Sequence, residues 1–412
     1  MNPETKTRRF LSRILRDYYS SKKIDMPYRF TKREFAFIYM GAQGMHRPVA
    51  FNKKTKARKF LKEKSPLHSY YSTAYYSNPE APMAEKEWLG ADLIFDLDAD
   101  HLPGGNLLTY PEQLNEVKKK TKLLIHDFLI GDFGFKKEDL DIYFSGHRGY
   151  HIHIRNNKVL NLSSESRREI VDYITGIGLD IDAILPYETI KLGSFKEHIQ
   201  TAKVPSLPDE DSGGWMKRTR KLTIELLKRW SRMDKEDVKE EMEEKHGIGK
   251  KTAEGLYNNF FEEEKWKKII EDGVLDVFSE DQRMVNVSSF EKIIKGILEE
   301  ENVQEIGSEI IGSTDEPVTG DTKRLIRLPQ SIHGGSFLKV TSVEIDKIDE
   351  FYPLSEGIID FLGEKEYVIK FDKIPRLDEI KIGEKTFDIQ EKITVPEYAA
   401  SFLVSKFKAK LL

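Results

Sequence analysis

Apolar side chains recur at helical spacing at two places in the first third of the chain. Over residues 7–20 this spacing predicts an amphipathic helix that docks on a core, and over 114–128 it predicts a second one. A further helix, opened by a capping box of Ser166 and Glu169, runs through Tyr173. Each of these helices is expected to bury one face.

Short apolar runs between glycine and polar residues predict strands. They occupy residues 35–40, 93–95, 140–144, 150–155, 324–328, 338–345, 367–371 and 380–389, and a last helix begins at Pro396. The alternation of strands and helices predicts an α/β (α+β) fold, in which helices flank a mixed sheet.

The pattern changes near residue 206, after which strand-like alternation is lost and long charged helices prevail until about residue 300. This change predicts an all-helical subdomain inserted into the core. We therefore expect four segments: the first part of the core over 1–205, the insertion over 206–303, the return of the core over 304–345, and C-terminal strands with a helix over 346–412.

Composition limits the function classes. The 412 residues hold 66 Lys and Arg against 70 Asp and Glu, and no cysteine. The net charge of −4 excludes a uniformly basic nucleic-acid binder, although it permits a local basic groove. Without cysteine there is no disulfide and no thiolate metal site. No run of about 18 apolar residues occurs, and the first 23 residues are too charged for a signal peptide, so we expect a cytoplasmic protein that does not enter a membrane.

Three acidic residues follow the predicted strand at 93–95. Side chains two apart on a strand point to the same face, so the carboxylates of Asp96 and Asp98 converge on one site. Such carboxylates repel each other, and a bound divalent cation such as Mg2+ is the simplest way to offset that cost. A surface turn rich in aspartate is the alternative explanation. Asp100 is expected in the loop beyond the strand.

The segment from Ser145 to His151 joins two predicted strands and contains two glycines, a hydroxyl, a guanidinium and an imidazole. Arg148 offers a planar fork suited to phosphate, and backbone N–H groups near glycine can add donors. His151 and His153 alternate with isoleucines, so both histidines should face one side of the strand while the isoleucines enter the core. An ordinary polar hairpin is the alternative interpretation.

A third segment, residues 315–335, combines carboxylates, a basic apolar strand and a histidine followed by two glycines. Asp315 and Asp321 precede the strand, Arg324 and Arg327 lie on it, and His333 follows. Taken alone, these arginines are equally typical of a protein surface, and the histidine of a turn.

Taken in order, the three segments resemble the catalytic small subunit of the archaeal and eukaryotic DNA primase family. The resemblance covers about residues 25–340 and includes the segment Arg33–Phe37. It implies the primase catalytic fold with a helical insertion. It also implies a nucleotidyltransferase that makes short RNA primers on single-stranded DNA from NTPs, with the use of dNTPs left open, in a heterodimer with a large primase subunit.

The resemblance also assigns roles to residues. Asp96, Asp98 and Asp315 would be the catalytic carboxylates and would bind two Mg2+ or Mn2+ ions. The triphosphate of the nucleotide would be held by Ser145, Arg148, His151, Arg327 and His333. Asp321 competes for the third carboxylate position, but Asp315 precedes a Val-Thr pair and stands eighteen residues before His333, as in the family. Glu34 and Arg47 are weaker candidates for nucleotide contacts.

One departure from the family concerns zinc. Family members commonly carry a cysteine-containing zinc module soon after the acidic pair, and here residues 100–110 hold that place without cysteine. A structural zinc site needs four ligands of the Cys or His type, so we predict no structural zinc.

Two stretches are candidates for contact with nucleic acid. Residues 53–64 are strongly basic, and residues 217–232 are basic with Trp215 and Trp230 interleaved, a combination that fits phosphate tracking and base stacking. A solvated helix face with buried tryptophans is the alternative for the second stretch. The segment 246–253 resembles the turn of a helix-hairpin-helix, although a helix end at Gly247 explains it equally well.

Two other functions remain open at this point. A primase-polymerase of the same superfamily, acting in repair or on a mobile element, would use the same residues. A non-catalytic DNA-binding subunit could keep the fold, but it would have no reason to retain the carboxylates and the triphosphate ligands.

Overall fold

The computed structural model describes residues 2–102, 104–105, 107–195, 198–262, 265–272, 283–296 and 316–412. The chain divides into two compact units. The first contains Met1–Ile125, Phe135–Val171 and Glu309–Leu412, and the second contains His126–Gly134 and Asp172–Ser308. Helices and sheets alternate within the first unit, which confirms the predicted α/β fold class.

The strands of the described residues are short. They are β1 (Phe35–Ile38), β2 (His46–Val49), β3 (His68–Ser72), β4 (Ala74–Tyr76), β5 (Trp88–Ala91), β6 (Leu93–Asp98), β7 (Leu140–Phe144), β8 (Gly149–Ile154), β9 (Tyr187–Phe195), β10 (His198–Pro205), β11 (Leu325–Arg327), β12 (Thr341–Val343), β13 (Glu366–Lys370), β14 (Glu379–Ile382), β15 (Lys385–Asp388), β16 (Lys392–Pro396) and β17 (Lys410–Leu411).

The α-helices vary from one to five turns. They are α1 (Pro3–Ser21), α2 (Lys54–Lys64), α3 (Tyr110–Leu123), α4 (Ser164–Thr175), α5 (Ile181–Ile184), α6 (Gly214–Trp230), α7 (Lys235–Glu244), α8 (Lys250–Tyr257), α9 (Lys265–Asp272), α10 (Arg283–Gly296), α11 (Glu316–Gly320), α12 (Pro353–Glu356) and α13 (Glu397–Lys406). A π-helical segment, Leu124–Asp132, continues α3, and another, Asn258–Glu262, continues α8. None of the helices described is long and apolar enough to cross a bilayer.

Two four-stranded sheets form the centre of the first unit, in the orders β11-β3-β1-β2 and β12-β7-β8-β6. Every pairing between the described strands is antiparallel, so the sheets are not mixed as the sequence suggested. The reason is that tight turns join β7 to β8, whereas parallel neighbours need long crossover connections.

A second difference from the sequence interpretation is that both faces of β8 are buried, and not only the face that carries the isoleucines. All six of its residues are buried, the two histidines as well as the isoleucines, because β8 lies between β7 and β6 and is covered on both faces. The predicted N-terminal helix is confirmed as α1, and its apolar stripe, which includes Phe10, Ile14 and Tyr18, is buried.

Three element boundaries differ from the predictions. The capping box at Ser166 is wrong, because α4 begins at Ser164 and the hydroxyl of Ser163 accepts the backbone N–H of Ser166 at 3.1 Å. The last helix begins at Glu397, with Pro396 as its N-cap. The run 380–389 is a hairpin of β14 and β15 and not a single strand.

The second unit contains the β9–β10 hairpin and the helices from α6 to α10. Its main segment begins at Asp172 and His126–Gly134 also belongs to it, so it extends beyond the insertion expected over 206–303, whose bounds stay a prediction. Of the two interpretations of the stretch 217–232, the one with buried tryptophans is confirmed, because the side chains of Trp215 and Trp230 are only 3% and 0% exposed, which excludes stacking of bases on them. An amphipathic helix such as α6 buries its aromatic residues in its own core.

Several basic residues of α6 also have partners. The guanidinium of Arg218 is 2.6 Å from an Asp132 oxygen and 3.7 Å from the centre of the Phe128 ring. Arg229 forms an ion pair with Glu241 at 2.5 Å. These arginines therefore hold the second unit together and are not free to follow a phosphate backbone.

A buried ion pair anchors the core of the first unit. Arg33 and Asp92 are 1% and 4% exposed, and their charged groups are 2.6 Å apart. The guanidinium makes five hydrogen bonds, to the carbonyls of Tyr28, Ser72 and Thr73, to the Tyr75 hydroxyl and to Asp92. Because all five N–H groups of an arginine are used, this buried charge is fully compensated.

We expect Asp92→Ala to cost about 3–5 kcal/mol of the free energy of unfolding, because it leaves the Arg33 charge buried without its counterion. Denaturant titration of the wild type and the variant measures this loss. Lys385→Ala, which breaks the exposed pair with Glu364, is the control and should change stability little. Equal losses in the two variants would contradict the role given to the buried pair.

Candidate functional site

Two carboxylates stand at the end of β6, on the face that is partly open to solvent. Asp96 and Asp98 expose 24% and 28% of their side chains, whereas Leu97 between them is fully buried. β6 pairs with β8, so that Asp96 lies opposite His151 and Asp98 opposite Gly149. The His151 Nε2 atom is 3.4 Å from an Asp96 oxygen. The two carboxylates therefore lie on the same face of β6, and their convergence on one metal site stays a prediction.

Glycine is required where β8 crosses β6. A Cβ atom on Gly149 would lie 1.9 Å from the carbonyl oxygen of Leu97, a distance that no side chain can tolerate. In the turn before it, Gly146 has φ of +79°, and a Cβ there would lie 2.8 Å from the Cβ of His333. The two glycines therefore let the hairpin approach both β6 and the segment that carries His333.

Ser145 supports this turn from within. It is 5% exposed, and its hydroxyl oxygen accepts the backbone N–H groups of His147 and Gly149, each at 3.3 Å. The hydroxyl proton remains available to a ligand. The structure thus gives Ser145 a structural task in addition to the nucleotide contact predicted from the sequence.

Arg148 bridges the hairpin and the acidic strand end. Its guanidinium lies 3.6 Å from an Asp98 oxygen and pairs with Asp100, which occupies a short 3-10 turn after β6. The Nε atom of Arg148 and the Nδ1 atom of His151 are buried and lack a hydrogen-bond partner in the part of the chain that the structure describes. Buried donors of this kind are normally satisfied, so both atoms are suited to receive a ligand.

A continuous row of basic groups runs beside this strand end. The rings of His147 and His333 stack at 4.6 Å with an interplanar angle of 12°, and the His68 ring meets His333 edge-on at 5.3 Å. The Arg327 Nη1 atom lies 2.9 Å from His68 Nδ1. At the other end, Lys406 Nζ lies 3.2 Å from His147 Nε2. We call these five residues the basic row.

The basic row lies next to the carboxylates. Burial lowers the pKa of Arg327, and Tyr70 and then the negative charges of Asp96 and Asp98 act in the opposite direction. At the far end, Asp98 and Asp100 raise the pKa of Lys406 against the stronger effect of burial and of Arg148. Both ends of the row are therefore within electrostatic reach of the acidic pair.

The sequence predicted Arg327 and His333 but missed the other three members of the row. His68 starts β3 and reaches the site because β3 pairs with β11, which places Tyr70 opposite Arg327. His147 occupies the turn already singled out. Lys406 comes from α13, a helix without any motif, and it packs over the ring of Tyr110 at 4.3 Å.

The histidines of the site are neutral at pH 7. Burial is the main cause in each case, and it lowers the pKa of His68 to about 4, of His151 to about 3 and of His147 to about 2. Neighbouring cations add to the effect, with Lys406 the second cause at His147. A neutral imidazole keeps one N–H donor, so the stacked rings do not repel each other and can still donate to an anion.

Asp315 lies outside the described residues. Helix α11, which starts at the next residue, packs against β6, the strand that carries Asp96 and Asp98. The competing Asp321 is exposed, and its side chain accepts the backbone N–H of Lys323 at 2.8 Å. The choice between Asp315 and Asp321 stays a prediction.

The donors present suit a hard divalent cation. Asp96 and Asp98 supply carboxylate oxygens, which Mg2+ and Mn2+ prefer, and their partial exposure leaves room for water ligands. Within the described ranges, no cluster of three or more His, Asp or Glu side chains is arranged to hold a metal ion. A third carboxylate from the segment before α11 would complete such a set.

Glu34 and Arg47 have another task in this structure. Glu34 is 1% exposed, and its two oxygens accept from Arg47 Nε and Lys86 Nζ, each at 2.8 Å. Because Arg47 and Lys86 already bind the Glu34 carboxylate, this residue stabilises the core. The structure gives no support to the nucleotide contact that the sequence suggested for Glu34.

The site places a group of negative charges next to a group of basic side chains. A pair of carboxylates that can gather divalent cations stands beside a row of guanidinium, imidazole and ammonium groups that can hold a polyphosphate. Metal ions and fixed cations acting on neighbouring oxygens are the usual requirement for phosphoryl and nucleotidyl transfer.

Comparison with known proteins agrees with this chemistry. Residues 95–345 match the family described as DNA primase small subunit. The chain is 37% identical over 410 residues to a DNA primase small subunit PriS from Methanocella arvoryzae, with 98% of both chains covered. It is 38% identical over 412 residues to one from Methanococcoides burtonii, with 99% of both covered. With one from Thermoplasma volcanium it shares 34% identity over 404 residues, 98% of this chain and 97% of the other.

We expect Lys406 to titrate near pH 7, because burial and then Arg148 lower its pKa to about 7, whereas an exposed lysine titrates near 10.4. NMR of the protein labelled at lysine Cε measures the midpoint, and Lys406→Arg identifies the resonance. Asp98→Asn should lower the midpoint, since the Asp98 carboxylate favours the charged form, and Arg148→Ala should raise it. A midpoint near 10 for Lys406 would contradict the described packing.

Proposed function

This chain belongs to the DNA primase small-subunit family, and from that membership we propose that the acidic strand end and the basic row form its centre for two-metal nucleotidyl transfer. The resemblance inferred from the sequence is thereby confirmed. The chain is the catalytic subunit of a primase, a nucleotidyltransferase that makes RNA primers. The observation that carries the proposal is the contact of Arg148 with the acidic strand end, where it lies 3.6 Å from an Asp98 oxygen.

Asp96, Asp98 and Asp315 are the proposed ligands of the divalent ions. Their oxygens suit Mg2+ or Mn2+. When bound, two such ions lower the pKa of the attacking 3′-hydroxyl and stabilise the charge on the leaving pyrophosphate. The support within the chain is the shared face of Asp96 and Asp98 on β6, together with the packing of α11, the helix after Asp315, on the same strand.

The triphosphate of the incoming nucleotide lies along the hairpin turn and the basic row in this proposal. Arg148 and Arg327 supply guanidinium forks, which bind phosphate oxygens in pairs. His151 and His333 donate N–H groups, and Ser145 has a hydroxyl proton free to donate. Lys406 and His147, which were not foreseen, extend the same surface. Because these groups are largely buried, they act on the phosphates with little screening by water.

The positions of these groups give each a part in the reaction. The cationic groups neutralise the charge that moves onto the leaving pyrophosphate, and they fix the nucleotide so that its α-phosphate faces the acidic strand end. The neutral histidines are suited to this, because a polyanion favours their protonated form and so strengthens its own binding. Positioning and electrostatics therefore supply the catalysis, with no covalent intermediate on the protein.

The partners follow from the same assignment. We propose a single-stranded DNA template, NTPs as substrates and a large primase subunit as the second chain of a heterodimer, acting in the cytoplasm. A role as a non-catalytic DNA-binding subunit would not need buried and unpaired donors at Arg148 and His151. Action in repair or on a mobile element would use the same centre and differ only in the template presented.

We expect Asp98→Ala to reduce primer synthesis on the order of 10³-fold, because the loss of a metal-binding carboxylate removes several kcal/mol of transition-state stabilisation. A primer synthesis assay on single-stranded DNA with labelled NTPs measures this, and an unchanged melting temperature shows that the fold is intact. Asp315→Ala should have a similar effect, whereas the matched variant Asp321→Ala should retain activity. Full activity of Asp98→Ala with Mg2+ or Mn2+ would refute the proposal.

Arg148→Ala should raise the KM for the nucleotide about tenfold, since a charge-assisted hydrogen bond contributes about 1.5–3 kcal/mol, and it should change kcat less. Steady-state kinetics at saturating template separates the two constants. Arg155→Ala is the matched control, because Arg155 follows the opposite end of β8 and pairs with Asp141. An unchanged KM in Arg148→Ala would contradict the assigned role.

A further inference from the structure

Several basic side chains and no acidic one are among the described residues that line a groove between α1 and α2. The two helices pack on each other, and the residues that line the groove include Arg8, Arg9, Arg16 and Lys64, together with Tyr39 and Met40. We call it the α1–α2 groove. α2 alone carries six basic residues against one acidic residue, Glu63. In a chain with a net charge of −4, this concentration of positive charge is local.

Several of these charges have no partner. Arg9, Arg16 and Lys64 are exposed and form no ion pair with any residue that the structure describes. By contrast, Arg13 on the same helix pairs with Glu397 at 2.5 Å. Unpaired basic side chains that line one concave surface repel each other, and a polyanion offsets that repulsion.

The α1–α2 groove ends close to the proposed reaction centre. Two of its lining residues, Tyr39 and Met40, directly follow Ile38, the last residue of β1. Ile38 pairs with His68, a member of the basic row. Lys64, on the rim, precedes His68 by four residues, which span at most about 14 Å of extended chain. The groove therefore lies near the end of the basic row at which His68 stands.

We propose that the α1–α2 groove binds the sugar-phosphate backbone of the single-stranded template next to the reaction centre. This inference rests on the proposed function, because it assigns a path to the strand that the centre copies. The chemistry matches, since unpaired arginines and lysines bind phosphates whatever the base sequence. The hydroxyl of Tyr39 is already hydrogen-bonded to His46 Nδ1 at 3.0 Å, so it is not free to bind a base edge. The contact is therefore with the backbone, as a primase that copies varied templates requires.

The other basic stretch does not provide an equivalent surface. In α6, Arg218 and Arg229 have acidic partners, and Arg220 donates to the carbonyls of Pro208 and Ile270. The tryptophans between them are buried. Lys217 and Lys221 are exposed, but they line a pocket together with Asp127, Asp132 and Asp211. No acidic residue from the part of the chain that the structure describes lines the α1–α2 groove, so its positive charge is not balanced in this way.

The test compares two triple variants of the full chain. Arg9→Ala/Arg16→Ala/Lys64→Ala removes the unpaired charges of the groove. Its control replaces three exposed basic residues of the C-terminal segment that also lack an ion pair within the described ranges, Lys373→Ala/Arg376→Ala/Lys381→Ala. Binding of a fluorescent single-stranded oligodeoxythymidylate, and of a blunt duplex of equal length, is measured by anisotropy over a series of salt concentrations without nucleotide.

For the groove variant we expect weaker binding of the single strand. The slope of the logarithm of the association constant against the logarithm of the salt concentration should be less steep by about 2, since three contacts are lost and each contributes about 0.7. The control should keep the wild-type affinity and slope. Unchanged binding in the groove variant, an equal loss in the control, or a loss confined to the duplex would overturn the inference. Matching melting temperatures of the two variants show that the fold is kept.

The Asp98→Ala protein separates this inference from the proposed function. It should bind the single strand with the wild-type slope while making no primers. If it makes primers and the groove variant still loses template binding, the metal-centred mechanism fails and the groove assignment stands. If it makes none and the groove variant binds normally, only the groove assignment fails.

Discussion

The antiparallel pairing of β6 with β8 is the constraint on which the reaction centre depends. Gly149 can lie opposite Asp98 only because it has no side chain, since a Cβ atom there would overlap the carbonyl of Leu97. This register puts Asp96 opposite His151 and turns both carboxylates to the same face. A slip of one residue would move them to the other face of the sheet, away from the basic row. The placement of both carboxylates therefore depends on the close approach of the β8 backbone at Gly149 to the β6 backbone at Leu97.

A second constraint ties the hairpin to the loop that carries His333. The Ser336 hydroxyl donates to the Gly146 carbonyl, and Gly146 leaves room for the His333 side chain. The stacked pair of His147 and His333 is the result. Burial keeps these rings neutral, because charging them beside arginine and lysine would be costly. In the proposed function, the negative charge of a bound polyphosphate favours the protonated rings instead.

Much of the fold and half of the site could be predicted from the sequence because their signals are local. The apolar spacing of α1, the alternation in β6 and the glycines of the hairpin each lie within a few residues. Asp96, Asp98 and Arg148 follow from such patterns. His68 and Lys406 do not, since the pairing of β3 with β11 and the position of α13 bring them to the site from distant parts of the chain. Lys406 and His147, for example, are 259 residues apart.

The errors have a physical cause as well. A basic helix with tryptophans is compatible with a nucleic-acid surface and with an amphipathic helix that buries its aromatic residues, and only packing decides between them. In α6 the buried face includes Trp215 and Trp230. In the same way, two-sided burial of β8 depends on its central place in the sheet, which its own alternating sequence does not reveal.

Basic residues serve three separate purposes in this chain, and the distinction governs its charge. Arg33 and Arg167 are each 1% exposed, and their N–H groups donate mainly to backbone carbonyls. They therefore contribute to the core and not to the surface. Exposed lysines such as Lys385 pair with nearby acids. The members of the basic row and the unpaired side chains of the α1–α2 groove form the third group, which we propose to bind the nucleotide and the template. Because the chain as a whole carries a net charge of −4, the positive charge of the basic row is local, and it lies beside the carboxylates of Asp96 and Asp98.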